Sequence, residues 1–578
     1  MIERLNTSSI SNKNNQKSKN NNSFKGIGTT AVLSGLRGLN NSPAIGACAV
    51  DLCSMVIPRT VVETKNRGKE SGIETFFREV SSCVIHAFVG MIGLGAASAI
   101  SGKINEEYKT KAQHIFASGD TIRNMSTRWQ NSGNESRKFF EGFASDLQGL
   151  NGTKWKGISK KAKGGIVDNL VALADKTNEL ATATGADKKR LSQEAKNLKN
   201  LVVTQIVKDT GAQASFNLPS VVSGEVTHKG VSASIGELVD NAVSLSNSFK
   251  KQSPEKLPKF IEALSKNKTK ATIIGLGICA ALCMAVQPVN KWLTKKRTGS
   301  DGFVGVEKDT TVDKNDKKAN LYKPLKTILG IVFPIGAIRT IGKPQDLVSN
   351  VQFNSKVPTL NQFKLLYGLT IGSRFMSARD NNELRESVIK DTLGYTNWLI
   401  LGGMVSKLTA RAIGGTDLIN NPVAQEGKKG IGYAAKWLTQ ASVKSFDEVL
   451  LPKAKQVADG KNVKKFSELF KNADALTKAK VGKIAVSQVA GYLYSGIVLG
   501  VGISKLNIFI TKKLNQKKND KTPKTETQTN VKQQQKATPQ VNDIQSLFAA
   551  PHSITAKLPQ STTARNDFSG NYLDKFAK

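Results

Sequence analysis

Hydrophobic residues along this chain gather into runs separated by polar, lysine-rich stretches. Residues 43–57 (PAIGACAVDLCSMVI) carry one acid, Asp51. Residues 83–100 (CVIHAFVGMIGLGAASAI) carry only His86 and Ser98 as polar side chains. Residues 271–289 enclose TIIGLGICAALCMAVQP. Residues 327–338 read TILGIVFPIGAI and are broken by Pro334. Residues 392–408 centre on NWLILGGMV, and residues 484–504 read IAVSQVAGYLYSGIVLGVGIS. A helix that crosses a hydrocarbon core ~30 Å thick, rising about 1.5 Å per residue, needs roughly 20 apolar residues. The runs at 83–100, 271–289 and 484–504 meet that length, and the run at 392–408 is marginal. Those at 43–57 and 327–338 suit re-entrant, interfacial or buried helices.

The runs lack the polar face of a helix lying on water. They are also rich in glycine, with Gly90, Gly93 and Gly95, then Gly275 and Gly277, then Gly491, Gly496, Gly500 and Gly502. In water a glycine inside a helix costs about 1 kcal/mol relative to alanine. In lipid, small residues four apart let two helices approach closely, and Gly93–Ala97, Gly277–Ala281 and Gly496–Gly500 have that spacing.

Between the first two long runs the pattern changes. In KKRLSQEAKNLKNLVVTQIVKD, Leu191, Leu198, Leu201, Val202 and Ile206 form one stripe, which predicts an amphipathic helix starting near Asp187. Residues 217–238 read as a loop or short hairpin. Residues 1–26 and 516–578 are polar, with little to bury, and predict disorder. The N-terminus has no apolar stretch after its basic start, so insertion into a membrane would rely on internal segments.

Parts of the chain resemble other parts of it. ETFFREVSSCVIHAFVGMIGLG (74–95) and ELRESVIKDTLGYTNWLILGG (383–403) align on Arg78-Glu79 and Arg385-Glu386. KFIEALSKNKTKATIIG leads to PVNKWLTKK at 259–296, and KFSELFKNADALTKAKVGKIA leads to KLNIFITKK at 465–513. MVIPRT (55–60) answers LTIGSR (369–374), each with an arginine after an apolar segment. These matches predict a tandem duplication, the first copy carrying a large insert.

Charge narrows the class. With Lys+Arg 84 and Asp+Glu 45, the formal net charge is +39, which calls for anionic partners. Lysine clusters such as WKGISKKAKGG (155–165) lack interleaved aromatics, so no stacking platform for nucleic acid is visible, and anionic lipid is the favoured partner. Trp292 before Lys295 and Lys296, and Phe509 before Lys512 and Lys513, fit interfacial anchors, as do Arg59 and Arg78. The group Arg59, Glu63, Arg67, Glu70, Glu74, Arg78 and Glu79 reads as a solvated helix with ion pairs at i, i+4.

Candidate chemistry is sparse. Gly275-x-Gly277-x-x-Ala280 fits a dinucleotide turn, yet Lys295, Lys296 and Arg297 stand where an acid must hold the ribose. Cys48, Cys53, Cys83, Cys279 and Cys283 all lie in apolar runs, with no disulfide framework and no nearby ligands to complete a zinc site. No nucleophile elbow or paired metal-ligand motif is present, so no enzyme, cofactor or metal is expected. His86 and Asp51 are the polar groups to watch inside apolar runs.

The expected fold class is therefore mainly α: a multi-pass helical membrane protein with two tandem related halves, a helical insert and disordered termini. Its parts are a disordered segment (1–26), first-half membrane-associated helices (27–101), a soluble insert (102–258), a closing membrane helix (259–300), a polar linker (301–324), second-half membrane-associated helices (325–515) and a basic tail (516–578). Cytoplasmic termini at an inner or cytoplasmic membrane follow from the lysine distribution. The expected role is structural, lipid- or partner-binding, or transport-like, with a homo-oligomer or protein partner also in view. The alternative is a soluble basic scaffold that binds nucleic acid through its lysine-rich tails.

Overall fold

A computed structural model describes residues 23–41, 46, 48–104, 117–147, 160–211, 214–222, 225–300, 302–306, 317–353, 358–401, 403–421, 430–455, 457 and 463–519. The ends expected to be disordered lie outside these residues, except that residues 23–26 and 516–519 are helical. The protein is mainly helical.

Helix α1 (Ser23–Asn41) comes first. A π-helical segment, Val50–Val56, then runs into α2 (Ile57–Arg67), and α3 (Lys69–Ile104) follows across Gly68. Gly68 has φ 89°, a left-handed conformation that glycine adopts without a Cβ penalty. The insert holds α4 (Gly119–Asn131), α5 (Ser136–Asp146), α6 (Lys160–Leu180), α7 (Gly185–Thr210), an antiparallel hairpin of β1 (Ala214–Val222) and β2 (Glu225–Ser234), and α8 (Ile235–Phe249). Of the predicted stripe of α7, Leu191, Val202 and Ile206 are buried and Leu198 and Leu201 half-buried. Ser234 and Glu237 close a capping box that starts α8, satisfying two backbone N–H groups that have no partner within the helix.

Then come α9 (Leu257–Thr298), α10 (Lys317–Arg339), α11 (Leu360–Met376) and α12 (Asn381–Tyr395). Among the described residues α13 (Met404–Gly414), α14 (Ile431–Gln440), α15 (Phe466–Asn472), α16 (Ala475–Tyr494) and α17 (Ile503–Asn519) follow, the last two joined by a π-helical segment, Ser495–Gly502. Two short strands, Ile419–Asn420 and Ser442–Val443, pair antiparallel.

Among the described residues, three helices are long and apolar enough to cross a membrane: Lys69–Gly93, Leu257–Thr298 and Ala475–Gln516. Tyr322–Arg339 and Pro344–Asn350, bent by 77°, make a fourth if the pair counts as one span. The marginal run at 392–408 is not continuous. It turns π-helical at Thr396–Ile400 and breaks where Gly403 takes φ 71°.

The large apolar core lies in the insert. Trp129, Phe139, Phe140, Phe143 and Phe249 are all but fully buried, and Trp129 packs edge-on to Phe139 with ring centroids 5.6 Å apart. The same core continues into Phe446, Leu450 and Phe466. The long helices reverse this pattern. Helix α9 exposes Ile273, Ile274, Ile278, Leu282 and Val289 while it buries Thr272, Gln287, Asn290 and Thr294. Residues 475–516 expose Val486, Val489, Leu493 and Ile497 and bury Ser487, Gln488, Ser504, Asn507 and Thr511. Helix α3 exposes Phe76, Phe77, Val84, Phe88 and Met91 and buries Glu74, Arg78 and Glu79.

The glycines of the 271–289 run have a packing role. Gly275 and Gly277 sit inside the 42-residue α9, with no strand before them, so they form no dinucleotide turn. A Cβ on Gly275 would stand 2.9 Å from Gly93 Cα and 3.1 Å from the Phe353 ring, so α3 and α9 touch there through bare backbone. A Cβ on Gly277 would meet nothing within 4 Å. Gly275→Ala is expected to cost about 1–3 kcal/mol by overpacking, and Gly277→Ala close to nothing. Thermal unfolding of the purified protein in detergent checks this; equal shifts for the two variants would refute the contact.

Candidate functional site

The inner faces of α3 and α12 carry charge at helical spacing. On α3, Ser71, Glu74, Thr75, Arg78, Glu79 and Ser82 fall on one side, since positions three and four apart share a helix face. On α12 the same is true of Glu383, Glu386, Ser387, Lys390 and Asp391. Asp380 fixes the start of α12 by accepting the Glu383 backbone N–H at 2.8 Å.

Two arginines cross between these faces. Arg67, at the end of α2, donates to both Glu386 carboxylate oxygens, at 2.9 and 2.5 Å, and reaches Glu63 at 3.2 Å. Arg379, between α11 and α12, donates to both Glu74 oxygens, one at 3.2 Å, and to Glu383 at 3.0 Å. Burial opposes charge on both arginines, yet Glu386 and Glu63 hold Arg67, and Glu383 and Glu74 hold Arg379, above the ordinary arginine value. The ring of Phe303 lies under both, 5.1 Å from the Arg67 guanidinium carbon and 5.6 Å from that of Arg379. Arg379 also donates to the Gly302 carbonyl at 2.9 Å, tying the 302–306 segment over the charges.

One turn deeper, a single carboxylate gathers four cations. Glu79 stands 3.1 Å from Arg374, 3.3 Å from Arg78, 3.4 Å from Lys390 and 3.8 Å from Arg59. Arg374 also pairs with Asp391 at 3.0 Å. Burial pushes Lys390 down to about 8, with Arg78 acting the same way and Glu79 against. Asp51 is 2% exposed, and its Oδ1 has no hydrogen-bond partner among the described residues. Burial pushes its carboxyl up to about 7, aided by Glu79 and opposed by Arg59 and Arg374.

The closing helices bind the same two faces in the same way. Asn290 Nδ2 donates to the Glu74 carbonyl at 3.1 Å, and Asn507 Nδ2 to the Glu386 carbonyl at 3.0 Å. Lys296 lies over the Trp292 ring at 5.5 Å, and Lys513 over Phe509 at 5.9 Å. Arg67 and Arg379, Glu74 and Glu386, Thr75 and Ser387, Arg78 and Lys390, and Glu79 and Asp391 are each separated by 312 positions. Asn290 and Asn507, and Trp292 and Phe509, are each separated by 217.

Between the faces lies a small cleft of about 20 Å³, room for little more than one water molecule. Its walls are Glu63, Ser71, Glu74, Thr75 and Arg78 on one side and Glu383, Glu386, Ser387 and Lys390 on the other, with Phe303 and Val304 at the 302–306 segment.

The sequence-predicted residues are distributed as follows. Trp292, Lys295, Lys296, Phe509, Lys512 and Lys513 are exposed. Arg59 and Arg78 are buried instead of facing outward, because Glu79 draws both guanidinium groups inward. The expected solvated helix is likewise corrected: Glu63, Glu74 and Glu79 are all buried, Glu74 and Glu79 against Arg379 and Arg374 across the fold. His86 is buried on α3, with Tyr367 stacked 5.0 Å away and Cys283 Sγ 3.7 Å from Nε2. Neither His86 nor Asp51 lines the cleft. Sequence reading missed Arg67, Arg379 and Glu386 as site residues; the constant 312-residue spacing was the signal that could have found them.

Among the described residues no group of three His, Cys, Asp or Glu side chains is placed to hold a metal ion. No family model, curated protein or solved structure matches this chain.

Proposed function

We propose that the protein is a multi-pass membrane protein of two related halves, with a transport-like role centred on the buried charges between them. The observation that carries the membrane reading is the inverted distribution of side chains on α3, α9 and residues 475–516. Apolar residues point outward there and charged or amide residues inward. Water favours the opposite arrangement, whereas in a bilayer ionisable groups belong inside the bundle. The same faces count against a soluble nucleic-acid-binding scaffold, whose long helices would need a polar exterior.

The two-half reading rests on the repeated contacts. Each swapped arginine bonds a carboxylate of its own half and one of the other, and each closing helix uses an asparagine on the equivalent carbonyl. The supporting register differs by five residues from the one legible in the sequence: Glu74, not Glu79, answers Glu386. Parallel repeats meeting around a central site are a known transporter architecture, an analogy of form only. Exposed Lys295, Lys296, Lys512 and Lys513 beside their aromatic rings fit a headgroup layer, with anionic lipid as partner and the termini on the cytoplasmic side.

Carbonate washing of membranes from cells expressing the chain tests this. The protein is expected to stay in the pellet; recovery in the washed supernatant would end the membrane reading.

A further inference from the structure

A proton needs no cavity, only a buried group that holds it. Asp51 is such a group. It sits in the π-helical segment Val50–Val56, a geometry that recurs at functional sites. It is the one acid of its apolar run, is 2% exposed, and leaves Oδ1 without a hydrogen-bond partner among the described residues. An ionised carboxylate buried with an unpaired oxygen is costly, and a proton removes that cost by making the group neutral.

The groups around Asp51 are committed elsewhere. On α2, Arg59 Nε donates to the Leu499 carbonyl at 3.3 Å, and the guanidinium stands 3.8 Å from Glu79. On α11, Arg374 is divided between Glu79 and Asp391, at 3.1 and 3.0 Å, and Tyr367 stacks with His86 of α3. Helix α3 also brings Glu79, a like charge, and Cys83, whose thiol hydrogen-bonds the Asp51 carboxyl. Cys48, three residues before Asp51, has its carbonyl 4.0 Å from Cys83 Sγ. On the remaining side, residues 495–502 carry no ionisable side chain, and α16 brings Tyr494.

The proton on Asp51 sets the balance of this cluster. Arg59, Arg78, Arg374 and Lys390 face Glu79 and Asp391, a surplus of two cations, and an ionised Asp51 cuts it to one. Ionised, Asp51 attracts Arg59 and Arg374 and repels Glu79, which loosens the Glu79–Arg374 pair that joins α3 to α11. Protonated, it leaves that pair intact.

We infer that Asp51 is a proton-binding site, and that its proton is the ion coupled to the transport-like role proposed above. The coupling rests on that reading; the site itself does not. Burial, aided by Glu79, pushes the folded carboxyl up to about 7. The unfolded chain releases the same proton at about 3.9, so its stabilising effect is full below about pH 4 and is lost as pH rises towards neutral.

The test uses the full chain in phosphatidylglycerol nanodiscs, titrated through neutral pH by infrared difference spectroscopy. The carbonyl stretch of a neutral carboxylic acid is expected to fade with a midpoint of about 7. It is expected to be missing in Asp51→Asn, which mimics the protonated group and keeps its shape. Cys83→Ala, which removes a hydrogen bond to the ionised carboxylate, is expected to move the midpoint upward, and it serves if Asp51→Asn does not fold. In denaturant, the stability of the wild type is expected to fall relative to that of Asp51→Asn as pH rises to neutral. Hydrogen exchange reads the coupling: with rising pH, α3 and α11 are expected to open more in the wild type than in Asp51→Asn. A carboxyl ionised throughout the range, or a band that survives in Asp51→Asn, overturns the inference. A titrating carboxyl with equal exchange in both proteins overturns the coupling and leaves the site. Carbonate release defeats the membrane reading alone, because the carboxyl titrates in either setting.

Discussion

Glu79→Gln is expected to destabilise the protein by about 3–5 kcal/mol, the usual range for breaking a buried ion pair from one side. Glu79 is 1% exposed and touches four cationic side chains, with Arg374 nearest at 3.1 Å. Glutamine keeps the shape and removes only the charge, so the loss measures what leaving Arg59, Arg78, Arg374 and Lys390 against Asp391 and Asp51 costs. Adding Lys390→Met to Glu79→Gln should recover part of the loss, because it removes one uncompensated cation. Glu262→Gln, on the exposed i, i+4 pair with Lys266, should cost far less, because solvent screens that pair. Denaturant unfolding in detergent micelles separates these cases. A loss for Glu79→Gln no larger than for Glu262→Gln would mean that Glu79 does not hold the inner cations together.

The apolar skeleton of this protein was legible from the chain. The runs at 83–100, 271–289 and 484–504 all lie in helices long enough to cross a membrane, and the stripe on residues 191–206 became a buried helix face. Those features depend on local periodicity, which one sequence displays directly. The charged site was not legible in the same way. Arg67 and Glu63 stand at i, i+4 and read as a surface pair; the partner that buries them, Glu386, is 319 residues from Arg67. The charges of α3 therefore looked like a solvated helix until α12 was placed opposite. The sequence aligns Arg78-Glu79 with Arg385-Glu386, whereas the buried contacts set Arg78-Glu79 opposite Lys390-Asp391, 312 positions later. Packing chose Lys390-Asp391, which keeps the inward faces of both helices charged; Arg385 is only part-buried, with Arg385 Nη2 donating to Thr511 at 2.8 Å. The glycines at 275 and 277 posed a similar ambiguity, settled by a backbone contact with Gly93 that no spacing rule contains.

The second large effect is expected from the swapped arginines. A double-mutant cycle on Arg67→Ala and Glu386→Ala should give a coupling of about 2–3 kcal/mol, because the pair is bidentate and buried. The cycle on Arg379→Ala and Glu74→Ala should give a coupling equal to it within about 0.5 kcal/mol. Equality is the informative outcome. Each arginine holds one carboxylate four positions away and one more than 300 positions away, and both lie over the Phe303 ring, so the proposed halves should divide the energy in the same way. The four single variants and two doubles, unfolded in one detergent, supply both cycles. A strong coupling at one pair and none at the other would mean that the repeated contacts do not reflect a shared design, and would remove the main support for two related halves. Two equal couplings would make the paired charges the clasp between the halves. Opening the cleft would then require both arginines to release their cross-half carboxylates, and Phe303, in contact with both guanidinium groups, would feel either release.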